Sequence, residues 1–164
     1  MGLVIAIDPG KMTGYWCYRT ADLRNSGLGG QLPQWDFIDW LVETMKLWEN
    51  NGEAVDIACE SFTITQRSMT QRGDRLWSVE QIGIIQHLVR EHNKEHLGSA
   101  AQYIEQSPSD AKTFADNDKL RRVGWYQVGM EHARDAARHA LLYATRRGHI
   151  DPAVLLKGWD DGGS

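Results

Sequence analysis

Leu3-Val4-Ile5-Ala6-Ile7-Asp8-Pro9-Gly10, with Lys11-Met12-Thr13-Gly14-Tyr15 behind it, decides how this chain is read. Five apolar residues run straight into an acid, and Pro9-Gly10 then breaks the run. A continuous apolar run bounded by turn residues predicts a strand buried on both faces. The break makes Asp8 its last residue, at the edge of a core rather than inside it. A carboxylate fixed there suits a metal ligand, because an ion needs rigid oxygen donors and an opening to solvent. A turn-forming Asp before Pro-Gly has the same local appearance, so the rest of the chain must decide between them.

Outward from this stretch, Thr13–Thr20 is aromatic-rich and predicts a second strand, with a weaker third over residues 22–30 ending at Gly29-Gly30. Residues 33–49 change to helical period. Trp35, Ile38, Leu41, Val42, Met45 and Trp48 form one stripe, with Phe37, Trp40 and Leu47 beside it. So wide an apolar arc fits either a helix sunk deep in the core or one that also meets a partner chain. Ala54–Glu60 is another short apolar strand, and it too ends on an acid. A polar loop with Arg67, Arg72 and Arg75 leads to a helix over about 78–92, where Ser78 and Gln81 are spaced as a capping box. A strand over 100–105, a short helix over 108–114, a loop through 116–119 and a final helix over 131–147 complete a single domain, residues 1–150. The acidic, Gly-rich residues 151–164 read as a weakly ordered tail. Three strands, then alternating helices and strands, predict an α/β fold with a mixed sheet and helices on its faces.

With 164 residues, 41% hydrophobic and 24% charged, the chain can bury one full-sized core. No apolar run reaches membrane-spanning length, and no basic leader precedes the first strand, so the expected location is cytoplasmic. Cys17 and Cys59 are expected to be reduced. The net charge is −4, but residues 1–60 hold 4 Lys/Arg against 9 Asp/Glu, whereas residues 61–164 hold 14 against 13 and all six His. Local basic clusters can therefore meet phosphates on an acidic protein.

Two strands thus end in acids, Asp8 and Glu60, and parallel neighbours bring such ends to one sheet edge. The last helix adds a third element. Ala133, Ala136, Ala137, Ala140, Leu141 and Ala144 make an alanine-rich face, and His132, Asp135 and His139 run along its margin. An acid and an imidazole one turn apart could complete a metal cage, although an Asp near a helix start also favours the macrodipole.

Taken in order, Ile7-Asp8-Pro9-Gly10 with Thr13-Gly14, the strand ending in Glu60, His132-x-x-Asp135-Ala136 and Pro108-x-x-x-Lys112 with Lys119 beyond resemble the RuvC-type Holliday junction resolvases of the RNase H-like superfamily, the small phage-encoded branch above all. The resemblance implies an RNase H-like fold with a mixed five-stranded sheet. It further implies a homodimer that binds branched DNA, namely four-way junctions, and makes paired metal-dependent cuts leaving 5′-phosphate and 3′-hydroxyl ends. A phage source would place it in the bacterial host cytoplasm. Asp8, Glu60 and Asp135 fall on the family's carboxylates, and His132 falls where members carry Asp or His. Two Mg²⁺ or Mn²⁺ ions are implied, with Asp8 bridging them and Lys112 and Lys119 beside the reacting phosphate. Lys112, Lys119, Arg121, Arg122, Arg67, Arg72 and Arg75 are the expected DNA contacts, although Lys119–Arg122 also reads as a solvated face.

The chemistry has its own logic. A phosphodiester repels hydroxide, and two divalent ions about 4 Å apart both activate water and stabilise the leaving oxygen. Three other functions remain open on the sequence. An RNase H-like nuclease for forks, flaps or free ends would carry the same acids. A branched-DNA binding protein that does not cut would not need them. Asp8-x-Gly10-x-x-Thr13-Gly14 also approaches the phosphate loop of actin-like ATPases, but those need two such domains, so no nucleotide cofactor is expected.

Overall fold

The computed structural model describes residues 2–62, 74–95 and 100–159. In chain order the elements are β1 (Gly2–Asp8), β2 (Met12–Arg19), α1 (Leu23–Ser26), β3 (Leu28–Pro33), α2 (Gln34–Asn50), β4 (Ala54–Glu60), α3 (Asp74–Glu95), β5 (Gln102–Gln106), α4 (Pro108–Phe114), α5 (Asn117–Arg122), α6 (Glu131–Arg146) and α7 (Pro152–Lys157). The five strands form one mixed sheet in the order β3-β2-β1-β4-β5. β2 pairs antiparallel with β1 and β3, while β4 runs parallel to β1 and to β5. This is the mixed five-stranded α/β architecture that the sequence predicts.

Alternation along β1 divides the core in two. Leu3, Ile5 and Ile7 point to the side covered by α2 and α3, where Phe37, Leu41 and Ile85 are fully buried. Val4 and Ala6 point to the other side, under α6, with Trp16, Tyr18 and Trp125. Every alanine of the α6 face (Ala133, Ala136, Ala137, Ala140, Ala144) is fully buried. Small side chains let the helix axis approach the sheet closely, and Gly14 takes the approach further. A Cβ added to Gly14 would stand 2.0 Å from the carbonyl oxygen of His132. The first turn of α6 therefore rests on bare backbone beside Asp8, which pairs with Gly14 across the β1–β2 ladder.

Several local expectations are corrected. Residues 22–30 are not one strand. Asp22 accepts a hydrogen bond from the Asn25 backbone N–H and starts the single turn α1, so the third strand begins only at Leu28. The loop expected after residue 116 is helix α5, because the Asp116 side chain caps it through Lys119 N–H at 2.8 Å. Ser78 and Gln81 do not form a capping box, since α3 already starts at Asp74. Residues 151–159 of the expected tail fold against the domain. Asp151 caps α7, Leu155 is buried, and Trp159 Nε1 donates to Val123 O at 3.1 Å. Cys17 and Cys59 are free, buried thiols, and burial raises both, Cys17 to about 11 and Cys59 to about 12. Among the described residues no helix is long and apolar enough to cross a membrane.

Candidate active site

The register sets the site. Ile7 lies beside Cys59 on the parallel β1–β4 pair, so Asp8 and Glu60 are the next residues along. Glu60 in turn pairs with Gln106 of β5. Their side chains continue the faces of Ala6, Ala58 and Ile104, and α6 crosses that side of the sheet. The helix answers each residue in the row. His132 Nδ1 donates to Asp8 Oδ2 at 2.9 Å. His139 Nε2 donates to Glu60 Oε2 at 2.9 Å, and its Nδ1 meets Gln106 Oε1 at the same distance. One turn further, Tyr143 donates its hydroxyl to Asp56 at 2.7 Å.

Asp135 comes from the same helix and ion-pairs with Arg138, while Lys112 Nζ stands 3.4 Å from its other oxygen. Arg138 is held in turn by Asn117 Oδ1 at 2.7 Å and Ala115 O at 3.2 Å. Asp8 feels all of this. Burial raises its pKa, the His132 hydrogen bond opposes that rise, and the charges of Glu60 and Asp135 add to it. The bond to Asp8 raises His132, with partial burial acting against it. Asp8, Glu60, His132 and Asp135 are thus gathered at one sheet edge, but each acid already has a basic partner. Among the described residues no three His, Cys, Asp or Glu side chains stand close enough to hold an ion.

A clamp from α3 fixes the turn that presents Asp8. Ser78 Oγ donates to Pro9 O at 2.8 Å, and Gly10 N–H donates to Gln81 Oε1 at 2.9 Å. Gln81 Nε2 donates to Thr13 Oγ1 at 2.7 Å, and that hydroxyl donates to Gly10 O at 3.0 Å. Gln81 and Thr13 are fully buried, so the Gln81 amide and the Thr13 hydroxyl are paired away from water. Neither role is legible in the sequence: the Ser78/Gln81 spacing predicts a helix start, and nothing local links His139 to Glu60, 79 residues away.

Solved structures with this arrangement of elements exist. One of RuvC from Thermus thermophilus aligns with a TM-score of 0.57 at 14% identity, over 90% of this chain and 97% of that one. A second, T. thermophilus RuvC in complex with a Holliday junction substrate, aligns with a TM-score of 0.54 at 13% identity, over 91% and 98%. The chain has a RuvC-like fold. No protein-family model and no curated protein sequence matches it.

On this RuvC-like fold the predicted basic residues divide. Lys112 lines a polar opening of about 410 Å³ with Asp116, Asn117, Glu131, Asp135 and Arg138. Lys119, one expected partner of the reacting phosphate, is turned elsewhere. Its Nζ donates to Phe114 O and lies 5.1 Å from the Phe114 ring centre, because α5 carries it to the far side of α4. Lys112, the other lysine expected there, stands beside Asp135. Arg122 is committed to the fold, donating to Leu155 O of α7 at 3.1 Å. Arg121 pairs with Asp118 at 2.9 Å and stacks on Tyr126, leaving it half-exposed. Arg67, Arg72 and the side chain of Arg75 lie outside the described residues.

Proposed function

We propose that this chain is a divalent-metal-dependent endonuclease acting on branched DNA, with the four-way junction as its substrate and a homodimer as its working form. The observation that carries the reading is the register of Asp8 and Glu60, side by side at the end of parallel strands, with Asp135 lowered over the same edge by α6. Three carboxylates and one imidazole are a donor set for Mg²⁺ or Mn²⁺, and the imidazole favours Mn²⁺. Burial of Asp8 supplies the fit, since a cation there would offset the desolvation that raises its pKa and, to a smaller extent, the charges of Glu60 and Asp135. Asp8, Glu60, His132 and Asp135 would hold the metal by closing in from their present ion pairs with one another and with Arg138 and His139, and the metal when bound would supply charge neutralisation and an acidified water.

The chain's own residues do the remaining work. His139 and Gln106 hold Glu60 in one orientation, and the Gln81 clamp does the same for the turn after Asp8. Arg138 and Lys112 keep Asp135 forward and give a phosphate two cations at the polar opening. Cutting both strands of a junction in step needs two such sites related by symmetry. Leu47 of α2 remains exposed, at 60%, and is an apolar group for that contact.

Incubating the protein with Mn²⁺ and a labelled panel of four-way junction, Y-fork, flap, duplex and single strand tests the reading. Paired nicks in the junction with 5′-phosphate ends are expected. Cutting only forks or flaps would keep the chemistry and reject the substrate, and no cutting of any member would reject both.

A further inference from the structure

Beside the carboxylates is a second opening that hydrolysis does not explain. It encloses about 730 Å³ between the β1–β2 turn, the β3–α2 junction and the start of α3. Met12, Pro33, Trp35 and Trp77 give it apolar, aromatic walls, and His132 is the wall it shares with Asp8. Apart from His132, which is turned to Asp8, its charged lining is one Lys11 and one Asp36, which balance. The opening on the other side of the first turn of α6, by contrast, carries Lys112 and Arg138. Gln34 is buried in the aromatic wall. Its Nε2 donates to Trp77 O at 3.0 Å, while its Oε1 has no partner among the described residues.

A polynucleotide presents this same pair of chemistries, an anionic backbone and flat apolar bases one nucleotide apart. We propose that the aromatic opening takes one unstacked base of the strand being cut, against Trp35 and Trp77, while the adjoining phosphate lies over Asp8, Glu60 and Asp135. The proposal rests on the nuclease reading and names the part of the substrate that sets its position. Any base has a π-face, so such a pocket tolerates sequence. Taking a base out of its stack costs least where pairing is already interrupted, as at a branch point. A second copy of the chain could cover Trp35 from outside, but a flat protein face would leave the cavity between α2 and α3 unfilled.

The test measures junction affinity in EDTA, where nothing is cut, while a single abasic site is walked through the nucleotides around the branch. Wild type, Trp35→Ala, Trp35→Phe and Trp77→Ala are compared. At one position the abasic site should weaken wild-type binding about ten-fold, and should cost Trp35→Ala and Trp77→Ala almost nothing further. Trp35→Phe should restore the coupling. 2-Aminopurine at that position should be quenched by wild type and not by Trp35→Ala. Equal losses for all proteins at every position would overturn the pocket while leaving junction binding intact. So would conversion of a dimer to a monomer by Trp35→Ala, in sedimentation, without coupling to any base. Failure of wild type to bind any junction would overturn the nuclease reading itself, and the pocket with it.

Discussion

Replacing Gly14 with alanine should disable the site without touching any of its functional side chains. The new Cβ would stand 2.0 Å from His132 O, whereas ordinary contact begins near 3.4 Å, so β2 and the start of α6 must part by about 1.4 Å. The His132–Asp8 hydrogen bond, now 2.9 Å, would then exceed hydrogen-bond range. Overpacking of this kind costs about 1–3 kcal/mol. The lost bond, half-exposed on the His132 side, adds about 1 kcal/mol. Together these lower the thermal midpoint by on the order of 10 °C for a domain of this size. Gly83→Ala is the control, since a Cβ there meets nothing within 4 Å and a helix-interior alanine is favoured over glycine. Thermal melts and single-turnover junction cleavage of the three proteins decide the matter. If Gly14→Ala melts within a degree or so of wild type and cuts as fast, α6 is not seated on Gly14 and the placement of His132 is set elsewhere.

His139→Ala should destabilise by about 3–5 kcal/mol, because it strands Glu60 and leaves a buried Gln106 oxygen unpaired. His139→Gln should fold well yet raise the Mn²⁺ concentration for half-maximal cleavage about ten-fold; an unchanged Mn²⁺ dependence would leave His139 only a packing role. His132→Ala should lose most of the cleavage rate, while His132→Asp retains activity and works better with Mg²⁺. Cleavage by the alanine variant at the wild-type rate would leave the site to the three carboxylates. His149 supplies a pH dependence. Burial lowers its pKa below 6.5, with Asp56 opposing and Arg147 reinforcing, and its Nδ1 accepts from the Tyr18 hydroxyl at 3.0 Å. The unfolded chain therefore takes the proton first, and stability is lost as pH falls from about 6.5 through the lower folded value. Between pH ~7.5 and ~5.5 the thermal midpoint should fall more for wild type than for His149→Gln, and parallel pH profiles would refute this.

Asp8 and Glu60 were legible because each closes a run of apolar strand residues, and a strand end needs no long-range knowledge to recognise. The alanine face of α6 and the His132/Asp135 margin follow from helical period alone. What supports them was not legible. Gln81 lies 71 residues from the Gly10 it holds, and its spacing from Ser78 matches a helix start equally well. His139 sits on the predicted stripe, but its meaning depends on the β4–β5 register that brings Gln106 beside Glu60. Lys119 shows the opposite failure. Its position after Lys112 suggested the site, and the Asp116 cap, by starting α5, carried it away.

The central claim is that the acids at this sheet edge hold metal for cutting DNA, and Asp8→Asn tests it most directly. The substitution removes one anionic ligand and almost no shape. In single-turnover assays on a four-way junction, the variant should bind as wild type does and show no cleavage with either Mg²⁺ or Mn²⁺. Cleavage by Asp8→Asn near the wild-type rate with either ion would contradict the account.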